Sequence, residues 1–114
     1  MKENFIRSLY ETIVQEGIEE YKGLLDNTNI EDATDKYWIS ALQLYSNLAE
    51  DKKENLLRVI ELIMIDTISS VLGIIDGSST LSGCDVEPKL YLDSIATDSE
   101  LQDLFLAYIE EIEE

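Results

Sequence analysis

Apolar residues recur at three- and four-residue intervals along four stretches of this chain, which is the spacing of one face of an α-helix. The first stretch covers residues 4–25, the second 30–49 and the third 51–75, while the fourth opens at residue 97. Residues 89–93 instead alternate between polar and apolar side chains, as a short strand does. The pattern predicts a mainly α-helical protein, a compact bundle of about four helices, in which residues 89–93 form one short strand or half of a short β-hairpin before the last helix.

Three local signals indicate where these helices begin and end. Asp51 with Glu54, and Thr97 with Glu100, have the spacing of a capping box, in which the two side chains satisfy backbone N–H groups at a helix start. Gly77 follows the third apolar stretch, and a helix often ends in such a left-handed glycine. We therefore expect the third helix to begin near Asp51 and end at Gly77, and the last helix to open at Thr97.

The third helix is apolar almost all round between residues 56 and 75, which predicts that it is central and the most buried helix. Small and polar residues form one narrow stripe on it, at about 100° per residue. The stripe consists of Asn55, Asp66, Ser70, Gly73 and Gly77. We interpret Asp66 as a buried carboxylate that caps or pairs structurally, with a cleft wall as the functional alternative. The small residues would let another helix approach closely.

The length and composition of the chain indicate one soluble domain. The chain has 114 residues, of which 45% are hydrophobic, and we find no repeat or linker, so residues 1–114 are expected to form a single helical domain. Every apolar run is shorter than the ~18–20 residues that cross a membrane, and the N-terminus lacks an apolar secretory signal. The single cysteine, Cys84, fits a reducing compartment. We therefore expect a cytoplasmic protein without membrane association.

The charge of the chain narrows the choice of partner. Twenty-five acidic residues against eight basic ones give a net charge of −17. Residues 1–60 carry a net −5, whereas residues 61–114 carry −12, with Lys89 as their one basic residue. A field of this sign repels nucleic acid and anionic lipid and speeds association with basic surfaces. It argues against direct nucleic-acid binding and favours a basic protein partner, with solubility as the alternative explanation.

The residue inventory argues against catalysis. The chain has no histidine, which excludes Ser-His-Asp and Cys-His pairs and imidazole-ligated zinc. No Gly-rich phosphate loop is present, and Cys84 lies beside acidic residues that disfavour a reactive thiolate. Asp76 and Glu87 occupy the first and twelfth positions of a calcium loop, but Leu81 stands where its sharp turn needs glycine. We therefore expect no enzyme, no cofactor and no metal.

Segments of the second half that mix apolar and acidic residues support a resemblance to a class of known proteins. These segments are Asp66-Thr67-Ile68, Ile74-Ile75-Asp76-Gly77 and the closing stretch with Glu100-Leu101, Phe105-Leu106 and Ile109-Glu110-Glu111. In size, charge and helix pattern, the whole chain resembles small acidic helical bacterial proteins of unknown function. It is also similar in kind to immunity proteins, which neutralise bacterial toxin domains. The resemblance transfers no binding residue to this chain.

Our leading hypothesis is a non-enzymatic immunity or inhibitor protein that covers a basic partner, such as a toxin domain. Acidic side chains would steer association, and an aromatic side chain would anchor the interface. The candidate partner-binding residues are Asp85, Glu87, Tyr91, Asp93, Asp98, Asp103, Glu110 and Glu111. The alternative is a structural helical protein that self-associates or serves as an assembly subunit. An enzyme that uses Asp66 with a divalent cation ranks third.

Overall fold

The computed structural model describes residues 1–113 and is mainly helical. Its elements in chain order are α1 (Lys2–Leu9), a π-helical segment (Tyr10–Gln15), α2 (Glu16–Asn27), a 3-10 turn (Ile30–Asp32), α3 (Lys36–Ser46), α4 (Glu50–Asp76), β1 (Tyr91–Leu92), β2 (Ile95–Ala96) and α5 (Leu101–Ile112). The two strands pair antiparallel. Since α1, the π-helical segment and α2 form one continuous helix, the predicted fold class of about four helices with a hairpin before the last is confirmed.

The core lies where α1, α4 and α5 meet. Its most deeply buried side chains are Ile6, Val14, Leu101 and Phe105. The π-helical segment contributes to the same core, because its Tyr10 ring meets the Tyr108 ring of α5 edge to face, with centroids 5.6 Å apart. The first helix and α5 therefore enclose one side of α4 and bury the apolar stripes that the sequence predicted for them.

The second predicted helix begins later than expected. A 3-10 turn and three extended residues occupy positions 30–35, and α3 starts at Lys36. The reason is local: the Asn29 side chain accepts a hydrogen bond from the backbone N–H of Glu31, and Asp35 accepts from the N–H groups of Tyr37 and Trp38 at 2.8 and 3.1 Å. Such side chains compete with the helix before its start and cap it afterwards.

The third predicted helix is α4, and it differs from the prediction in two ways. It ends at Gly77 with a φ of +82°, as predicted. It begins at Glu50 after Ala49, without any side-chain cap, so the capping box of Asp51 is wrong. One face of α4 is also uncovered, since Val59 and Ile63 are 50% and 58% exposed. The helix is central, as predicted, but its apolar residues are not all buried, because the other helices cover only part of its circumference.

The buried carboxylate of α4 is Asp76, and Asp66 is exposed, so the interpretation of Asp66 is wrong. Both Asp76 oxygens cap α5 by accepting hydrogen bonds from the backbone N–H groups of Leu101 and Gln102, at 3.2 and 2.7 Å. α5 therefore begins with a cap supplied by another helix, and the local capping box of Thr97 is wrong. The Thr97 hydroxyl instead donates to the carbonyl oxygen of Leu90.

The predicted close helix approach occurs at Gly73. A Cβ atom placed there would stand 2.8 Å from Nε2 of Gln102 in α5, so any side chain larger than hydrogen would displace Gln102. The Gln102 amide also donates to the backbone oxygen of Ser69, one turn earlier on α4. Gly73, Ser69 and Asp76 thus form the contact with the start of α5, whereas Asp66 and Ser70 of the predicted stripe face solvent.

The molecule is broad and thin. It measures 49 × 37 × 23 Å, and its Cα radius of gyration is 17.6 Å, whereas a closely packed chain of this length has about 13 Å. The reason is that α3 packs mainly on α2, away from the core between α1, α4 and α5. An open groove therefore lies between α3 and α4.

A buried tyrosine ties α3 to α2. The Tyr45 hydroxyl donates a hydrogen bond of 2.6 Å to the Asp26 carboxylate, and Lys53 of α4 lies 5.0 Å from the centre of the Tyr45 ring. Burial, and secondly the hydrogen bond to Asp26, raise the pKa of Tyr45 to about 12. Hydrogen bonds from Lys22 and then from Tyr45 lower the pKa of Asp26.

Replacing Tyr45 with phenylalanine should lower the free energy of unfolding by about 1–2 kcal/mol at neutral pH, because it removes a hydrogen bond to a charged acceptor. The pKa of tyrosine in the unfolded chain is about 10. The stability that the neutral hydroxyl contributes is therefore complete below pH ~10 and is lost as the pH rises towards the folded pKa. Urea unfolding between neutral and alkaline pH should show the difference between the two proteins shrinking. A constant difference would contradict the assignment.

Candidate interaction surface

The chain between α4 and α5 carries the first group of predicted partner-binding residues. The hairpin turns at Asp93 and Ser94, whose φ angles are +48° and +73°. Positive φ at both central residues is typical of a two-residue turn that matches the twist of paired strands. The backbone N–H and the hydroxyl of Thr97 both donate to Leu90, which ties the base of the hairpin together. Asp93 is thereby held at the tip.

All eight predicted partner-binding residues are exposed. Within residues 1–113, none of the seven acids among them forms a salt bridge or accepts a side-chain hydrogen bond, and the salt bridges that do form involve other acids. Lys2 pairs with Glu100, and Arg58 pairs with Glu61 and Glu113. The predicted acids are therefore available to a partner.

Five of the eight residues lie around the hairpin, and we call them the hairpin group: Asp85, Glu87, Tyr91, Asp93 and Asp98. Asp85 and Glu87 line an open depression of about 710 Å³ between the end of α4 and the following loop. Tyr91 and Asp98 line a second depression of about 250 Å³, and the two depressions share Lys89 as a wall. The structure thus brings four of these five residues into adjoining surfaces.

The other three residues, Asp103, Glu110 and Glu111, lie on α5, and we call them the α5 group. Asp103 and Glu110 are seven residues apart, which places them on one face of the helix about 10 Å apart along its axis. Leu106 lies between them and is 42% exposed. The structure therefore divides the predicted surface in two, since Glu110 and Glu111 are at the far end of α5 from the hairpin.

Leu106 and Ile95 are apolar contributors that the sequence reasoning missed. Ile95 on β2 is 59% exposed and Tyr91 on β1 is 55% exposed. The two residues are not directly opposite each other, because the strands pair Tyr91 with Ala96. The sequence signal for Leu106 was its position three residues after Asp103, which places it on the same helix face. Each acidic group consequently has an exposed apolar side chain among its acids, as interface cores require.

The residues weighed for metal and thiol chemistry have other roles. Asp76, the first position of the calcium-loop pattern, caps α5 with both oxygens. Over residues 1–113, no three acidic or cysteine side chains converge as metal ligands. Cys84 is exposed on the loop that follows α4.

Comparison of the chain with protein-family models, with curated proteins and with solved structures finds no match. The helices between residues 1 and 113 are all too short or too polar to cross a membrane. Inferences about function therefore depend on the surface of this molecule alone.

Proposed function

We propose that this protein is a non-enzymatic binding domain for a basic protein, acting in the cytoplasm as an immunity or inhibitor protein that neutralises a partner such as a bacterial toxin domain. The observation that carries the proposal is the set of seven exposed, unpaired acids around Tyr91 and Leu106. A cationic surface relieves the mutual repulsion of these acids when it binds. The apolar side chains supply the desolvated centre that holds the complex.

Electrostatic attraction acts before contact, so it raises the association rate more than it slows dissociation. The field of a chain with net charge −17 would draw a basic protein from any direction. The local density of unpaired acids then selects where it docks. Salt screens this attraction over about 10 Å at 0.1 M, so the association rate should fall steeply as salt increases.

The matched experiment changes the position of the lost charges and keeps their number constant. The first variant neutralises the acids of the hairpin group: Asp85→Asn, Glu87→Gln, Asp93→Asn and Asp98→Asn. The control neutralises four exposed acids of the first half: Glu11→Gln, Glu16→Gln, Glu19→Gln and Glu31→Gln. Both variants lose four negative charges, and no salt bridge among residues 1–113 involves any of these eight acids.

Tagged protein captures its partner from the native host at low salt, and stopped-flow kinetics then measure association with the purified partner. We expect the hairpin variant to associate at least about tenfold more slowly at low salt and the control less than about threefold more slowly. Equal rates for the two variants would show that the acidity serves solubility. Failure to recover any basic partner would also contradict the proposal.

A further inference from the structure

One face of α4 is mainly apolar, free of charge and only partly covered, with Met64 at its edge packed against the core. It consists of Leu56, Val59, Ile60, Ile63, Met64, Thr67, Ser70, Val71 and Ile74. At 100° per residue these positions span an arc of about 140° and a length of about 27 Å. Val59, Ile63 and Val71 are each about half exposed. Although 29% of the residues in the chain are charged, none of the nine residues on this arc carries a charge.

A groove of about 420 Å³ runs beside this face, between α3 and α4. Its lining is almost entirely apolar and comes from Tyr21, Leu25, Trp38, Ala41, Leu44, Tyr45, Leu56, Ile60 and Met64. Leu44 on its outer wall is 58% exposed. Next to the groove stands a ridge of α4 side chains at four-residue spacing, from Val59 through Ile63 and Thr67 to Val71. A ridge and a groove thus lie side by side on one surface.

Single exposed apolar residues are ordinary, but a contiguous patch of several hundred Å² marks a site of association. A helix that is apolar all round is normally buried. Within the monomer, the π-helical segment, α2 and α5 cover the other sides of α4, so burying the remaining face requires another molecule.

We propose that a second copy of this chain covers the α4 face, in a two-fold symmetric homodimer whose axis runs along the two α4 helices. A two-fold axis brings the same patch of each copy together. Because the ridge lies beside the groove, an axis along α4 places the ridge of each copy against the groove of the other. The patch is therefore complementary to itself.

Area and charge both favour this occupant. A face about 27 Å long and roughly 20 Å wide across α3 and α4 gives on the order of 500 Å² per copy and about 1,000 Å² in total, the size at which specific interfaces begin. Two copies of a chain with net charge −17 repel each other. The α4 arc itself carries no charge, with the exposed Asp66 at its edge, so two copies oppose fewer charges there than on their acidic surfaces. A basic partner would find no acid on this arc to pair with.

The inference is independent of the proposed function, and salt separates the two. Binding of a basic partner weakens as salt screens attraction, whereas dimerisation of an acidic chain strengthens as salt screens repulsion. A dimer that binds no basic protein would contradict only the proposed function. A monomer that binds a basic protein would contradict only the proposed dimer.

The test is sedimentation equilibrium of the full chain from about 1 µM to about 1 mM, at low and high salt. We expect the mass of two copies at the upper concentrations, with tighter association at high salt. Ile63→Lys should weaken dimerisation at least about tenfold, since it places a charge at the centre of the face. Leu62→Lys is the matched control, because Leu62 is 42% exposed on the same helix and lies outside the face. It should leave the dissociation constant within about twofold.

Both variants alter exposed side chains, so circular dichroism should show unchanged helix content. A monomer at every concentration and salt would overturn the proposal and leave the face to a different protein. Equal weakening by the two substitutions, or a dimer that Ile63→Lys leaves intact, would also overturn it.

Discussion

Replacing Phe105 with alanine should lower the free energy of unfolding by about 3–5 kcal/mol, the largest loss we expect from any single substitution in this chain. The Phe105 side chain is fully buried in the core between α1, α4 and α5, where it joins Ile6, Val14 and Leu101. Truncation removes its apolar surface from the core and leaves a cavity that the surrounding helices fill only in part. A domain of this size has a total stability of about 5–15 kcal/mol.

Urea unfolding followed by circular dichroism, at one protein concentration, measures this loss. Leu106→Ala is the control on the same helix, because its side chain is 42% exposed and lies outside the core. We expect it to cost less than about 1 kcal/mol. Similar losses for the two variants would mean that α5 does not dock through Phe105 and would contradict the described core.

Replacing Asp76 with alanine should cost about 2–3 kcal/mol, because it leaves the N–H groups of Leu101 and Gln102 without their acceptors at the start of α5. A cap substitution alone typically costs about 1 kcal/mol. The larger value follows from burial, since Leu101 is fully buried and water cannot replace the carboxylate there. The negative charge at the N-terminus of α5 adds a favourable interaction with the helix dipole.

Asp66→Ala is the matched control for this prediction, since Asp66 lies on the same helix and is exposed. It should change the free energy of unfolding by less than about 0.5 kcal/mol. Asp76→Asn retains one acceptor oxygen and should cost roughly half as much as alanine. Hydrogen exchange at the amides of Leu101 and Gln102 should accelerate in the Asp76 variants alone. Equal effects of Asp66→Ala and Asp76→Ala would refute the inter-helix cap.

The two aspartates of α4 show where sequence reasoning reaches its limit. Asp66 and Asp76 both interrupt an apolar helix, and helical geometry placed Asp66 in the stripe of small residues. Which side of that stripe is buried depends on where α5 crosses α4, and the crossing occurs at Gly73 and Asp76. A residue twenty-five positions away in sequence decides the role of Asp76, and no local pattern carries that information.

The sequence predicted which residues of the candidate interaction surface are exposed, but it did not predict how they are arranged on the molecule. The exposure of its acids follows from their charge, since unpaired carboxylates are rarely buried. Their division into the hairpin group and the α5 group depends on the direction of α5, which runs from the hairpin towards Arg58 in the middle of α4. The exposure of Ile63 was also unpredictable, because apolarity all round is the same signal whether a helix is covered by its own chain or by a partner.

The sequence by itself determined the number and order of the helices, the end of α4 at Gly77 and the acidic character of the second half. These features follow from periodicity, turn residues and charge, which act over a few neighbouring positions. Only the tertiary structure decided the cap of α5 by Asp76, the uncovered face of α4 and the groove beside α3. Those features depend on how separate helices meet. No single segment of the sequence specifies the packing between residues that are distant in the chain.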